Sequence, residues 1–257
     1  MKKSMGLLFI VLMLSISACQ LEKYGAYDNA DKYKILDSNG ETYNLSLKNI
    51  DLSWVKGSVN IIQTDEYKGT TVKEYTNEVN DEDYLCHVLR EEDFLNIKYC
   101  ASNVSIPKEI FKDLTIYVPS DIAIENLIIS GVSNSLNINS ITCQNLRIEN
   151  VDGKVNINNV NVKTINYEGV SGDLSVILNH TTQELRIDQV SGSTIVSLPE
   201  DIGGFVAYFD SVDGGFTNEF ATTLEDDKYT YDNGNAFQLL IDFDSVDGNL
   251  YICKHDL

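Results

Sequence analysis

Basic side chains are scarce in this sequence: 19 Lys and Arg stand against 39 Asp and Glu over 257 residues, a formal net charge of −20. That balance excludes nucleic acid as a partner, since its phosphates need Lys and Arg to replace released counterions. It also opposes docking on an anionic membrane through a basic face. Histidine is rarer still. His87, His180 and His255 are far apart, and with no Cys-x-x-Cys among the five cysteines there is no zinc spacing. No Gly-x-Ser-x-Gly elbow and no glycine-rich phosphate loop occurs, so catalysis finds little support. After residue 18 no stretch of 18 apolar residues appears, and no amphipathic helical pattern is found. What is present is 43% hydrophobic and 9% aromatic, with 14 Tyr, too apolar for a disordered acidic tail and long enough for one sizeable core.

The N-terminus reads as a targeting segment. Lys2 and Lys3 precede an apolar run from Met5 to Ile16, too short to span a bilayer but suited to a signal peptide. It ends Ile16-Ser17-Ala18-Cys19, which resembles the bacterial lipobox; the alternative is a plain secretory signal followed by an unrelated Cys. The resemblance implies cleavage before Cys19 and a lipid on its sulfur, anchoring the protein to the cell membrane or envelope on the extracytoplasmic side. Removing residues 1–18 takes away two Lys, leaving a formal charge of 17 − 39 = −22. Residues 19–40 are read as a lipid-anchored tether. Gln20 to Lys34 shows no period, and as a flexible coil it would reach roughly 20 Å. Of the other cysteines, Cys86 and Cys100 flank a turn at Glu91-Glu92-Asp93 and could face each other across a hairpin. Buried free thiols are the favoured alternative.

Self-similarity carries the fold expectation. Around Leu146-Arg147-Ile148-Glu149-Asn150-Val151-Asp152-Gly153-Lys154-Val155-Asn156-Ile157, apolar residues alternate on both sides of a Val-Ser/Asp-Gly step. The marker Val recurs at 55, 132, 151, 170, 190, 212 and 246, with Gly57, Gly153, Gly172, Gly192, Gly214 and Gly248 as turn glycines and Asn134 in their place in one copy. Alternation sets strands, the Gly or Asn step predicts a corner with φ > 0, and stacking of such units makes a continuous core. Coils of about 19–22 residues predict an all-β, single-domain β-solenoid, or β-helix, rather than an antiparallel sandwich. Residues 41–118 are assigned to an N-terminal β region with a first coil and antiparallel strands. The solenoid repeats take 119–257, with a hairpin insertion near 222–236 before the last coil.

The motifs Asp113-Leu-Thr-Ile-Tyr-Val-Pro119, Asn126-Leu-Ile-Ile, the repeated Ser/Asp-Gly corners, and the ending Gly234-x-x-Phe237 through Ile241-x-Phe243 and Ser245-Val-Asp-Gly248-Asn-Leu-Tyr-Ile252 resemble the bacterial "putative adhesin" domain family, the group related to GIN and auto-transporter adhesin-head domains. The resemblance spans roughly residues 45–257. It implies a right-handed β-solenoid on an exported, often lipid-anchored protein, with no catalytic residues.

Two residues before the marker Val stand Glu149, Glu168, Asp188, Asp210 and Asp244. In-register stacking would set these carboxylates about 5 Å apart, a repulsion of about 1 kcal/mol per neighbour in water. Arg147 and Arg186, two positions further back, would relieve part of it. The row is read as a solvated acidic face, or more sharply as a ladder for Ca²⁺ or a cationic partner. The calcium-binding Gly-Gly-x-Gly-x-Asp repeat is absent. Asn60, Asn137 and Asn156 are expected to stack as a hydrogen-bonded amide row, with glycan binding the sharper alternative. Tyr208, Tyr229, Tyr231 and Tyr251 are candidate sugar-stacking residues. The functional expectation is a non-enzymatic, lipid-anchored envelope protein, an adhesin or binding scaffold with a glycan, wall polymer or envelope protein as partner. Alternatives are an envelope-stress or regulatory accessory protein and, less favoured, a carbohydrate-active β-helix enzyme.

Overall fold

Alternating apolar residues two apart put one side of each extended segment into a shared interior, and the segments stack to cover it. The computed structural model describes residues 22–43, 47–77, 81–234 and 238–255. The signal segment 1–18, Cys19 and the start of the expected tether, part of the 222–236 insertion, and Phe237 of the closing motif lie outside the described residues. In chain order the strands are β1 (Glu22–Lys23), β2 (Lys34–Ile35), β3 (Glu41–Tyr43), β4 (Asn49–Thr64), β5 (Thr70–Thr76), β6 (His87–Glu91), β7 (Phe94–Lys98), β8 (Ser105–Ile106), β9 (Lys112–Pro119), β10 (Ile124–Asn139), β11 (Thr142–Asn158), β12 (Asn161–Gly169), β13 (Asp173–Ile177), β14 (Glu184–Pro199), β15 (Gly204–Ser211), β16 (Phe216–Asn218), β17 (Thr223–Glu225), β18 (Lys228–Asp232) and β19 (Leu239–His255).

The protein is a single-domain β-solenoid. Parallel pairing stacks β7 and β9 under β4, then β10, β11, the β12–β13 pair and β14. Inward rows run through the stack: Leu127, Leu146, Ile165 and Leu185 are in register and fully buried, as are Val155, Leu174, Val59 and Leu136 on the other wall. Each fully buried aliphatic side chain contributes about 1.5–3 kcal/mol, which no single coil could gain alone.

The corner expectation needs correcting in two respects. First, β4, β10, β11, β14 and β19 run through the Val-x-Gly step as continuous strands. Stacked bends bond to one another: Ser171 N–H donates to Val151 O at 2.8 Å and Ser191 N–H to Val170 O at 2.9 Å. A ladder between coils thus replaces the closed turn within a coil. Second, φ is positive at Gly57, Gly153, Gly172 and Gly192 but not at Asn134, Gly214 or Gly248. At Gly153 φ is 123°, and a Cβ would drive into the Asn134 carbonyl of the coil below. At Gly248 only close approach matters, since a Cβ there would strike Gln189 and Ser245. Asn134 is held differently, its side-chain amide donating to Trp54 O at 3.3 Å.

The spatial order of coils departs from chain order. β19 lies between β14 and β15: Gln189 pairs with Ser245, which pairs with Ser211. The chain therefore makes the β15–β16 coil as the outermost layer and returns to fill the gap beneath it. The β17–β18 hairpin turns at Asp226 and Asp227, both at positive φ as a two-residue hairpin turn requires, and β18 pairs antiparallel with β15. That covers part of the terminal edge, which would otherwise be an open pairing template.

At the other end β6 and β5 pair antiparallel with β7 and β9, and β2 and β3 pair with β6 and β5. Residues from Glu22 onward are part of this cap and not a free tether. β1 pairs with β8, Tyr24 N–H donates to Val104 O at 2.7 Å, and Tyr27 donates its hydroxyl to Cys100 O at 3.2 Å. Tyr27 stands edge-on to both Tyr24 and Tyr33. Burial pushes the Tyr24 phenol well above its ordinary pKa and that of Tyr33 up to about 12. Within the cap, Lys112 is fully buried against Glu74 at 2.7 Å, donates to Tyr84 O and Tyr99 O, and lies over the Trp54 and Tyr99 rings. Cys86, Cys100 and Cys143 are buried free thiols, and burial raises the latter two to about 12.

Candidate functional site

The acidic row follows from strand pairing. Glu149 pairs with Glu168, Glu168 with Asp188, Asp188 with Asp244, and Asp244 with Asp210. All five expected carboxylates share one register position, but their order is 149, 168, 188, 244, 210, because β19 is interposed. Below Glu149 the same position holds Ser130, Ser53 and Lys98. The row is thus neutral or basic over the first three coils and acidic over the remaining five.

Arg147 reaches Glu149 at 2.8 Å and Glu168 at 3.1 Å, so it bridges two rungs. Arg186 lies 3.7 Å from both Glu184 and Asp242, beside the row. A shallow depression of about 240 Å³ opens between the two arginines, lined by Asn166, Tyr167, Glu168 and Asp188. Asp188 is a half-buried rung whose carboxyl is held above its ordinary pKa. Partial burial raises its pKa first and the neighbouring Asp244 second, while Arg186 opposes both. Among the described residues, no three His, Cys, Asp or Glu converge to hold a metal ion. A straight row presents its carboxylates side by side, whereas Ca²⁺ draws six to eight oxygens around one point.

The amide row forms as expected. Asn137 donates to Asn60 at 3.1 Å and Asn156 to Asn137 at 2.9 Å. A second row joins Asn49, Asn126 and Asn145 on the first wall. These bonds use the amides along the stack. Of the four tyrosines, Tyr229 packs on Phe216 and Tyr231 on Phe205 and Phe220, so both belong to the cap of the terminal coil. Tyr208 and Tyr251 stay exposed, the latter donating to Glu219 at 2.8 Å. The histidines are dispersed: His87 contacts Leu85 O, His180 contacts Asp201, and His255 contacts Leu178 O.

Sequence reasoning missed the residue just before the marker Val. Gln189 donates to Gly192 O at 3.2 Å and Ser245 accepts from Gly248 N–H at 3.2 Å, each bracing its own bend from inside. The available signal was parity: in Leu146, Ile148, Asn150 a polar residue continues the core-facing alternation. The Lys112–Glu74 pair carried no such signal, because its partners come together only through the β5–β9 pairing.

Stacked parallel coils and an in-register surface row define an all-β solenoid that presents a repeated face. A solved structure described as a putative cell adhesion protein from Clostridium sporogenes shares this fold, with a TM-score of 0.51 and 15% identity, over 87% of this chain and 98% of that one. A second, a putative adhesin from Bacteroides fragilis, aligns over 83% of this chain and 95% of that one at 12% identity and a TM-score of 0.36. No curated protein matches the chain. The family model of the Toastrack domain, DUF4097, matches residues 30–252, and the chain belongs to that family. The family shown is thus Toastrack rather than the GIN or adhesin-head groups, and adhesion is a word in the names of those two structures.

Proposed function

We propose that this is a non-enzymatic, lipid-anchored envelope protein whose solenoid binds a cationic partner through its acidic row. The observation that carries the reading is the register of Glu149, Glu168, Asp188, Asp244 and Asp210, five carboxylates on adjacent strands, with Arg147 bridging the first two. Sequential strand neighbours lie about 4.8 Å apart, so the row presents a negative stripe of roughly 19 Å. A polycation laid along it relieves repulsion at every rung, and affinity comes from repeated shallow contacts. The names of the two structural neighbours and the lipobox-like Ile16-Ser17-Ala18-Cys19 support an envelope location. The lipid is carried by Cys19.

An oligolysine peptide is the probe. Binding measured by calorimetry should weaken steeply with salt, and Glu149→Gln, Glu168→Gln, Asp244→Asn and Asp210→Asn combined should abolish it. Each alone should reduce it only a few-fold. Equal binding by the fourfold variant, or total loss from one substitution, would refute a distributed row. Incorporation of labelled palmitate by the wild type and not by Cys19→Ala tests the anchor.

A further inference from the structure

We infer that the bend of the first coil, around Phe111, is a membrane-docking surface that sets the solenoid upright on the bilayer, an inference that rests on lipidation of Cys19. The chain leaves little slack between the anchor and the fold. From Cys19 to Glu22 there are three peptide units, which span at most roughly 11 Å. Glu22 is fixed, because β1 pairs with β8 through Glu22–Ile106 and Lys23–Ser105, and the next residue, Tyr24, is bonded to Val104 and packs half-buried against the core. A lipid on Cys19 therefore holds the bilayer surface within about that distance of β8.

The surface beside β8 has the chemistry of a membrane interface. Residues 99–111 replace the tight bend of later coils with a wider loop, and Phe111 at its end is 58% exposed. Lys56 lies over the Phe111 ring at 5.3 Å and donates to Lys108 O at 3.2 Å, and Lys108 is itself exposed. An exposed aromatic ring beside Lys108 suits the headgroup level, where the ring enters the apolar boundary and the Lys108 ammonium stays with phosphate, while buried Lys56 holds the loop from inside.

Charge along the stack agrees. Residues 19–118 hold 11 of the 17 basic side chains that follow residue 18, against 18 acids, while residues 119–257 hold 6 against 21. The surface row is Lys98, Ser53 and Ser130 on the coils nearest β8 and acidic on those beyond. Net charge opposes a membrane lying along the whole solenoid, and opposes contact least at this end. The eight stacked layers then carry the row to roughly 34 Å above the first coil.

The test uses full-length lipidated protein in vesicles of phosphatidylcholine and phosphatidylglycerol, with and without lipids brominated near the headgroup. Trp54 is buried and is the sole native tryptophan, so it supplies a constant background. Phe111→Trp should lose emission in the brominated vesicles, and Tyr208→Trp on the outermost coil should not. If the protein floats with the vesicles but Phe111→Trp is not quenched, the docking surface is wrong while the anchor stands. Quenching of both variants would mean that the solenoid lies flat and would overturn the upright arrangement. Failure to float would remove the anchor and this inference together.

Discussion

Deleting residues 239–257 would distinguish an interposed last coil from one merely added at the end. β19 contributes Leu239, Ile241, Phe243, Leu250 and Ile252, all buried to 1% exposure or less. At about 1.5–3 kcal/mol each, their loss removes roughly 8–15 kcal/mol, comparable with the entire stability of an ordinary domain. In a stack ordered as the chain, losing the last coil costs only its own interface and leaves the rest folded. Here β19 is the parallel partner of β15 and β16 and the upper partner of β14. Truncation should therefore release residues 204–218 as well, while β10 and β11, paired with each other, keep their ladder. Hydrogen exchange read by mass spectrometry would report it. Peptides covering 204–218 should lose protection to near the unfolded rate, with those covering 124–158 still protected. Retained protection across 204–218 would show that this coil docks directly on β14 and would refute the interposed order.

Gly153→Ala should cost well over the 1–2 kcal/mol of its positive φ, because the Cβ meets backbone, whereas Gly234→Ala, at φ 85° with nothing within 4 Å, should cost only that φ penalty. Equal denaturation midpoints would count against the close stacking of bends. Lys112→Met leaves Glu74 buried without its cation and should lose about 3–5 kcal/mol, most of it regained in the double variant with Glu74→Leu. A loss below 1 kcal/mol in the single variant would show that the pair is hydrated. Asp188 has a folded-state pKa raised above its unfolded value, so the native state binds its proton more readily and ionisation costs stability as pH rises through that interval. Asp188→Asn should accordingly stabilise the protein at pH 7, with the gain vanishing once pH falls below the unfolded value. A gain that grows in acid would reverse the sign argued here.

The strands and their register were legible because side-chain direction in a strand repeats every two residues. Once Leu146 and Ile148 face inward, Arg147 and Glu149 must face out, and the marker Val aligns every copy. The acidic and amide rows followed from that alignment. The position of β19 did not, since spacings of 22 and 34 residues give the length of chain between coils and not the neighbour each selects. Geometry decides it: β19 is an unbroken strand that pairs with β14 from Glu184 to Pro199, while β15 and β16 are interrupted between Ser211 and Phe216. The N-terminal segment was misread for another reason. Tyr24, Tyr27 and Tyr33 show no period, because the first two dock on the loop at residues 100–104 and Tyr33 packs on Tyr27, rather than extend a sheet face.

The interposed strand also bears on the order of assembly. Contacts between β10, β11 and β12 join residues about 19 apart, whereas β4 finds β10 across 77 residues and β14 finds β19 across 56. Closing a longer loop costs more chain entropy before any contact repays it. The middle coils therefore form the nucleus, and growth proceeds toward both ends. For a chain emerging N-terminus first, the upper layers cannot close until β19 is delivered, so a product that stops before it presents the β14 edge instead of a covered one.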